Sequence, residues 1–192
     1  MVDDCSTDLT AICARSAGAK VVQHPINLGQ GAALQTGIDY AIQNGATRIV
    51  TFDGDLQHRF DDVLLLMRAL NETGADFALG SRFLGNAKNI ELSRKLLLKA
   101  AVLCTRLTTG LKLTDVHNGL RAMTRRGANA LRIRQNRMAH ASEILEQIAK
   151  SGLPYVEVPV TVEYTSYSMA KGQKLSNSVN ILLELLTGAL QR

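Results

Sequence analysis

The 192-residue chain is 46% apolar, with a net charge of +5 at pH 7 and a pI near 9.3. That length buries one sizeable core, and no Pro- or Ser-rich linker marks a second unit, so a single domain over 1–192 is expected. The basic balance favours anionic partners, but four Tyr, four Phe and no Trp leave little for base stacking and turn the reading away from nucleic acid.

Cys5, Cys13 and Cys104 form no zinc-like spacing and are odd in number for a disulfide framework, which points to a reducing, cytoplasmic compartment. The opening Met-Val-Asp-Asp carries no signal-peptide pattern. No segment reaches the roughly 18 uncharged residues of a membrane span.

In chain order, AKVVQH (19–24) predicts a strand, GQGAALQTGIDYAIQNG (29–45) a helix, and RIVTFD (48–53) a buried strand. FDDVLLLMRALNETG (60–74) predicts a helix and DFALGS (76–81) a strand. This alternation implies βαβ units and a mostly parallel, Rossmann-like α/β sheet flanked by helices. Further on, helices are expected over 93–109, 140–152 and 175–190, with strands at 119–123 and 154–164.

The third strand ends in Phe-Asp-Gly-Asp-Leu-Gln-His, residues 52–58. Asp53 and Asp55, two apart, can present oxygens to one side, and Gly54 lets a ligand approach the backbone. Two carboxylates so close repel unless a cation lies between them, and Mg²⁺ is usually held by one or two carboxylates plus substrate phosphates. In parallel sheets, ligands bind beyond the carboxyl ends of the strands, where these acids lie. Three chemistries compete. One is a phosphatase with Asp-x-Asp as nucleophile and acid/base, although Gln57 suits ion ligation and no later acidic pair completes such a site. Another is a dinucleotide site, weakened because Leu34 stands where the Gly-rich fingerprint needs Gly or Ala. The third is a transferase that grips a nucleoside diphosphate through a metal.

Five motifs in order, VDDCSTD (2–8), NLGQGAALQTG (27–37), FDGDLQH (52–58), GSRF (80–83) and TDVHNGLRAMTR (114–125), resemble the family 2 glycosyltransferases, most closely the branch that makes dolichyl- or polyprenyl-phosphate sugars. The resemblance implies the GT-A fold and a nucleotide-sugar donor. It implies Mg²⁺ or Mn²⁺ on Asp53, Asp55 and Gln57, the nucleoside at Asp3 or Asp4, and a donor-side loop at Asn27, Gly29 and Gly31. Asn27 equally suits a helix cap. Arg82 and Arg94 resemble the arginines that face phosphate in this branch, a role that a planar fork of donors suits.

A polyprenyl phosphate acceptor is already anionic and needs no base, whereas a hydroxyl acceptor does. Where hydroxyl-accepting relatives carry Glu-Asp, this chain has Glu143-Ile, which favours a phosphate acceptor; Glu143 is retained as a candidate base. The family's first strand, with its Pro-x-x-Asn-Glu signature, and the helix after it have no counterpart here. An N-terminally shortened sheet with an open edge prone to self-association is therefore expected. Near the end, Lys171 and Lys174 remain of a segment that covers the diphosphate, while its usual Arg and Ser do not.

On the helix from Arg94 to Thr109, Lys95, Lys99 and Arg106 fall within about 40° of one another, with Leu96, Ala100, Leu103, Cys104 and Leu107 on the opposite arc. This arrangement predicts an apolar face in the core and a basic face outward, either solvated or in peripheral contact with anionic membrane.

Overall fold

The computed structural model describes residues 1–88, 90–136 and 139–164. In chain order the elements are β1 (Val2–Asp3), α1 (Thr10–Ser16), β2 (Val22–Gln23), α2 (Gln30–Gln43), β3 (Arg48–Thr51), α3 (Phe60–Thr73), β4 (Phe77–Lys88), α4 (Leu92–Thr109), β5 (Arg121–Thr124), α5 (Arg125–Ala130), α6 (His140–Ser151) and β6 (Tyr155–Glu163). The helix expected over 175–190 lies outside the described residues.

The α/β architecture is as the alternation predicts, but the larger sheet is mixed. Its order is β3-β5-β4-β6, with β5 antiparallel to both neighbours and β4 parallel to β6. α4 and the irregular residues 110–120 after it bring β5 in between β3 and β4 from the opposite end. β4 also runs well past the expected 76–81. It stays paired with β6 across an irregularity between Ser81 and Asn86, where Gly85 packs so tightly that a Cβ would lie 2.2 Å from the Val160 carbonyl oxygen.

Alternation along the strands divides the core in two. Phe77, Leu79 and Met123 pack with Ile38 of α2, Val102 of α4 and Ile144, Leu145 and Ile148 of α6. Ala78, Leu120 and Ala122 face the other way, against Leu66 and Leu70 of α3 and Val158, Val160 and Val162 of β6.

β1 and β2 form a separate two-stranded parallel sheet. Between β1 and β3 lies a cavity of about 720 Å³, lined by Val2, Val22, Leu34, Ile38, Ile49 and Val50, with α2 along it.

α4 departs from the expectation. Its inward residues are Ala101, Val102 and Thr105, whereas Leu96, Leu103 and Leu107, assigned to the core from the pattern, are exposed. Apolar residues surround most of this helix, and the small ones fit the close approach to the body. Among the described residues no helix is long and apolar enough to cross a membrane.

Candidate functional site

Two acidic loops meet at the start of α2. Asp4 follows β1, and its carboxylate accepts the backbone N–H groups of Leu28 (2.9 Å) and Gly29 (2.7 Å) while His24 Nδ1 stands 2.7 Å away. Asn27 Nδ2 donates to the Asp4 carbonyl oxygen. Burial works to raise the Asp4 pKa, but these backbone donors and His24 outweigh it and hold the acid below its ordinary value. Asp3 is likewise lowered, through Ser6 and Gln23. Asp4 and Asn27 thus shape the loop ahead of α2. Gly29 takes φ 97°, and Gly31 lies where a Cβ would come 1.9 Å from the Gln135 carbonyl oxygen.

One residue beyond Gly29, Gln30 Nε2 donates to Asp53 Oδ1 at 3.1 Å. Gly119 backs the same carboxylate, and His58 Nε2 lies 3.9 Å from Asp53 Oδ2. The chain then turns through Leu56 at φ 62°, a left-handed conformation uncommon for Leu, and the Gln57 N–H returns to Asp55 Oδ1 at 3.1 Å. The loop is tied to β6 by the Glu163 N–H on the Gln57 carbonyl and by a bridge between His58 and Val162.

Asp53, Asp55 and Gln57 offer hard oxygen donors, and among the described residues neither aspartate is ion-paired to Lys or Arg. No described cluster of three or more His, Cys, Asp or Glu side chains could enclose an ion by itself. Two carboxylates and an amide fit a divalent cation whose remaining ligands are water and substrate phosphate.

Arg82 is placed differently from the expected phosphate-facing role. It is buried, donating through Nε to Asp115 Oδ2 (2.6 Å), through Nη1 to the Tyr164 hydroxyl (2.5 Å) and through Nη2 to the His117 carbonyl. Burial opposes its charge, but Asp115 and Tyr164 prevail and raise its pKa. Its partners thus hold the 114–119 loop beneath the site. The Arg94 guanidinium lies over the Tyr164 ring, 5.1 Å from the centroid. Glu143 accepts the backbone N–H groups of Arg134 and Gln135 and the side-chain amide of Gln147, so both its oxygens serve the loop that touches Gly31. Lys171 and Lys174 lie outside the described residues.

Sequence reasoning passed over the polar floor of this site. Arg121 is buried; desolvation lowers its pKa against the opposing pull of Asp53 and Asp115. Burial pushes His117 down to about 4 and also lowers His58. Among the described residues, His58 Nδ1, His117 Nδ1 and Asn118 Nδ2 are buried without hydrogen-bond partners. A charged residue inside the apolar Leu-Arg-Ala-Met run was the available signal for Arg121.

The sequence model of Glycosyl transferase family 2 matches residues 1–135. The chain belongs to that family. Among family 2 relatives, an uncharacterised protein of Methanocaldococcus jannaschii is 34% identical over 190 residues, covering 97% of this chain and 78% of the relative. The UDP-N-acetylglucosamine–dolichyl-phosphate N-acetylglucosaminyltransferase of Methanococcus voltae is 33% identical over 169 residues, covering 86% of this chain and 67% of that protein. Among solved structures, glucosyl-3-phosphoglycerate synthase from Mycobacterium tuberculosis, in complex with Mn²⁺ and UDP-glucose, superposes with a TM-score of 0.72 at 18% identity, and this likeness shows the GT-A fold. The alignment covers 99% of this chain and 66% of that enzyme. Family 2 membership sets aside the phosphatase and dinucleotide readings.

Proposed function

We propose that the chain transfers a hexose from a UDP- or GDP-linked sugar to a polyprenyl or dolichyl phosphate, with Mg²⁺ or Mn²⁺. The observation that carries the donor half is the meeting of the Asp4-capped loop with Asp53 through the adjacent residues Gly29 and Gln30. That junction puts small residues and backbone beside a divalent-ion ligand set, the surroundings a nucleoside diphosphate needs.

Asp53, Asp55 and Gln57 would hold the ion, which when bound stabilises the negative charge growing on the leaving diphosphate. Gln30, His58 and Gly119 keep Asp53 oriented. Asp3 and Asp4 lie on the nucleoside side, with Asn27, Gly29 and Gly31 in the loop between. Lys171 and Lys174 are proposed to cover the diphosphate from the segment after β6, and Arg94, at the start of α4, to attract the acceptor phosphate. The engagement of both Glu143 oxygens with neighbouring donors supports an acceptor that needs no base. The relative from Methanococcus voltae, named for a dolichyl-phosphate acceptor, supports the same acceptor class. The reading implies work on the cytoplasmic side, where nucleotide sugars are available.

The test is consumption of UDP-N-acetylglucosamine, UDP-glucose and GDP-mannose with and without a polyprenyl phosphate and Mg²⁺. Acceptor- and metal-dependent release of nucleoside diphosphate from one donor is expected; failure with every donor overturns the reading. The cavity between β1 and β3 favours a second reading, in which this chain binds nucleotide and metal without turnover. Binding by calorimetry combined with no donor consumption would select it.

A further inference from the structure

α4 exposes a continuous apolar ridge. Leu92, Leu96, Leu103 and Leu107 are 72%, 60%, 60% and 78% exposed. At 100° per residue these four fall within about 60° of one another, with exposed Ala100 beside them. Lys95, Lys99 and Arg106 border the ridge on one side, all exposed. The 18 residues of α4 include no Asp or Glu, and among the described residues neither lysine is ion-paired. A leucine ridge of this kind is unusual on a surface that meets only water.

We infer that α4 is a docking helix for an anionic lipid surface, lying in the headgroup plane with its leucines in the acyl boundary and its cations among the headgroups. Charge decides between occupants. A second copy meeting this ridge through its own α4 would bring no carboxylate to the lysines, because the helix contains none. Anionic headgroups answer both the apolar and the basic parts. The helix contacts the site at its start, where Arg94 covers the Tyr164 ring and the Tyr164 hydroxyl accepts from Arg82. The inference draws its sense from the lipid-phosphate acceptor proposed above, but it stands or falls separately.

The test is co-sedimentation with phosphatidylcholine vesicles, with and without phosphatidylglycerol, in the absence of donor and polyprenyl phosphate, so that failure here leaves the transfer assay to judge the reaction. Wild type should bind the anionic vesicles and lose affinity as ionic strength rises from about 0.1 M to about 1 M, where the screening length falls from about 10 Å to about 3 Å. Leu96→Ser with Leu103→Ser should weaken binding by about tenfold or more. Lys95→Gln with Lys99→Gln should reduce the preference for anionic over neutral vesicles, Arg106 remaining in place. Both variants should unfold close to the wild-type temperature, the serine variant lower only by serine's poorer helix propensity. No binding by wild type, or undiminished binding by the serine variant, overturns the inference. So does a wild-type dimer in sedimentation equilibrium that the serine variant dissociates, since a second copy then covers the ridge. A fall in unfolding temperature for the serine variant larger than serine's poorer helix propensity accounts for does the same, because the chain itself then covers it.

Discussion

The space a side chain would fill at Gly119 is taken by the carboxylate of Asp53: a Cβ there would lie 1.8 Å from Oδ2 and 2.6 Å from Cγ. Sixty-six positions of sequence separate the two, and the sheet brings them into contact because β5 pairs with β3. Asp53 is thus held from three directions, by Gly119, by the Gln30 amide and by His58. Groups behind a metal ligand commonly set its affinity by about tenfold to a hundredfold. Gly119→Ala is expected to weaken Mn²⁺ binding in the presence of UDP by that order, with Gln30→Leu milder, as read by calorimetry. Wild-type affinity in Gly119→Ala would show that Asp53 does not carry the ion.

The Arg82–Asp115 pair predicts a stability effect. Asp115→Asn leaves a buried guanidinium without its counter-charge, and losses of this kind cost about 3–5 kcal/mol. Urea unfolding should register that loss, and Arg82→Met combined with Asp115→Asn should restore part of it. If Arg82 instead serves a phosphate, Arg82→Lys will raise the donor KM while leaving the unfolding curve in place.

His117 predicts a pH dependence. Burial pushes it down to about 4; Asp115 pulls upward, while Arg82, Arg121 and His140 add to the fall. In the unfolded chain it titrates near the ordinary 6.5, so between the two values the unfolded state binds the extra proton. The stability is therefore present above about pH 6.5 and declines as pH falls to about 4, by up to roughly 3 kcal/mol. His117→Gln should flatten unfolding stability across that window relative to wild type. An unchanged slope would place its origin in other groups, His58 among them, whose pKa is lowered in the same direction.

Glu143 separates a base from a clamp. As a base, which acts only when deprotonated, its replacement by Gln would abolish the acid-side fall of turnover and lower kcat by the roughly 10²–10⁴-fold typical of general catalysis. As a clamp on Arg134 and Gln135, it should instead show a modest loss, an unchanged pH profile and faster amide exchange in the 131–136 loop. The second outcome is expected.

Elements with strong local periodicity were legible from the sequence: α2, α3, α6, β3 and β6 fall where their patterns put them. β1 spans two residues and α1 seven, both too short for a pattern to accumulate. The antiparallel course of β5 depends on the path of an irregular segment, which periodicity does not encode. The inward face of α4 was misread because apolar residues lie on both arcs, and shape rather than hydrophobicity chose Ala101 and Val102 over Leu103 and Leu107. At the site, the acids after β1 and β3 were legible as local motifs. The contacts that orient them were not, because Gly119, His58 and Arg121 acquire meaning only through pairing across the sheet.

The separation of β1 and β2 from the larger sheet has a kinetic consequence. A two-stranded unit is marginal alone, and this one is joined to the rest chiefly through α2. It can open while β3 to β6 stay intact, so its amides should exchange by local fluctuation far sooner than those of β4. Asp3 and Asp4 are part of that unit. A nucleotide that binds only its closed form must draw on binding free energy to keep it closed, which lowers the apparent affinity by the fraction of time the unit is open. Saturating nucleotide should accordingly slow exchange at Val2, Asp3 and Val22 and leave the centre of the larger sheet unchanged.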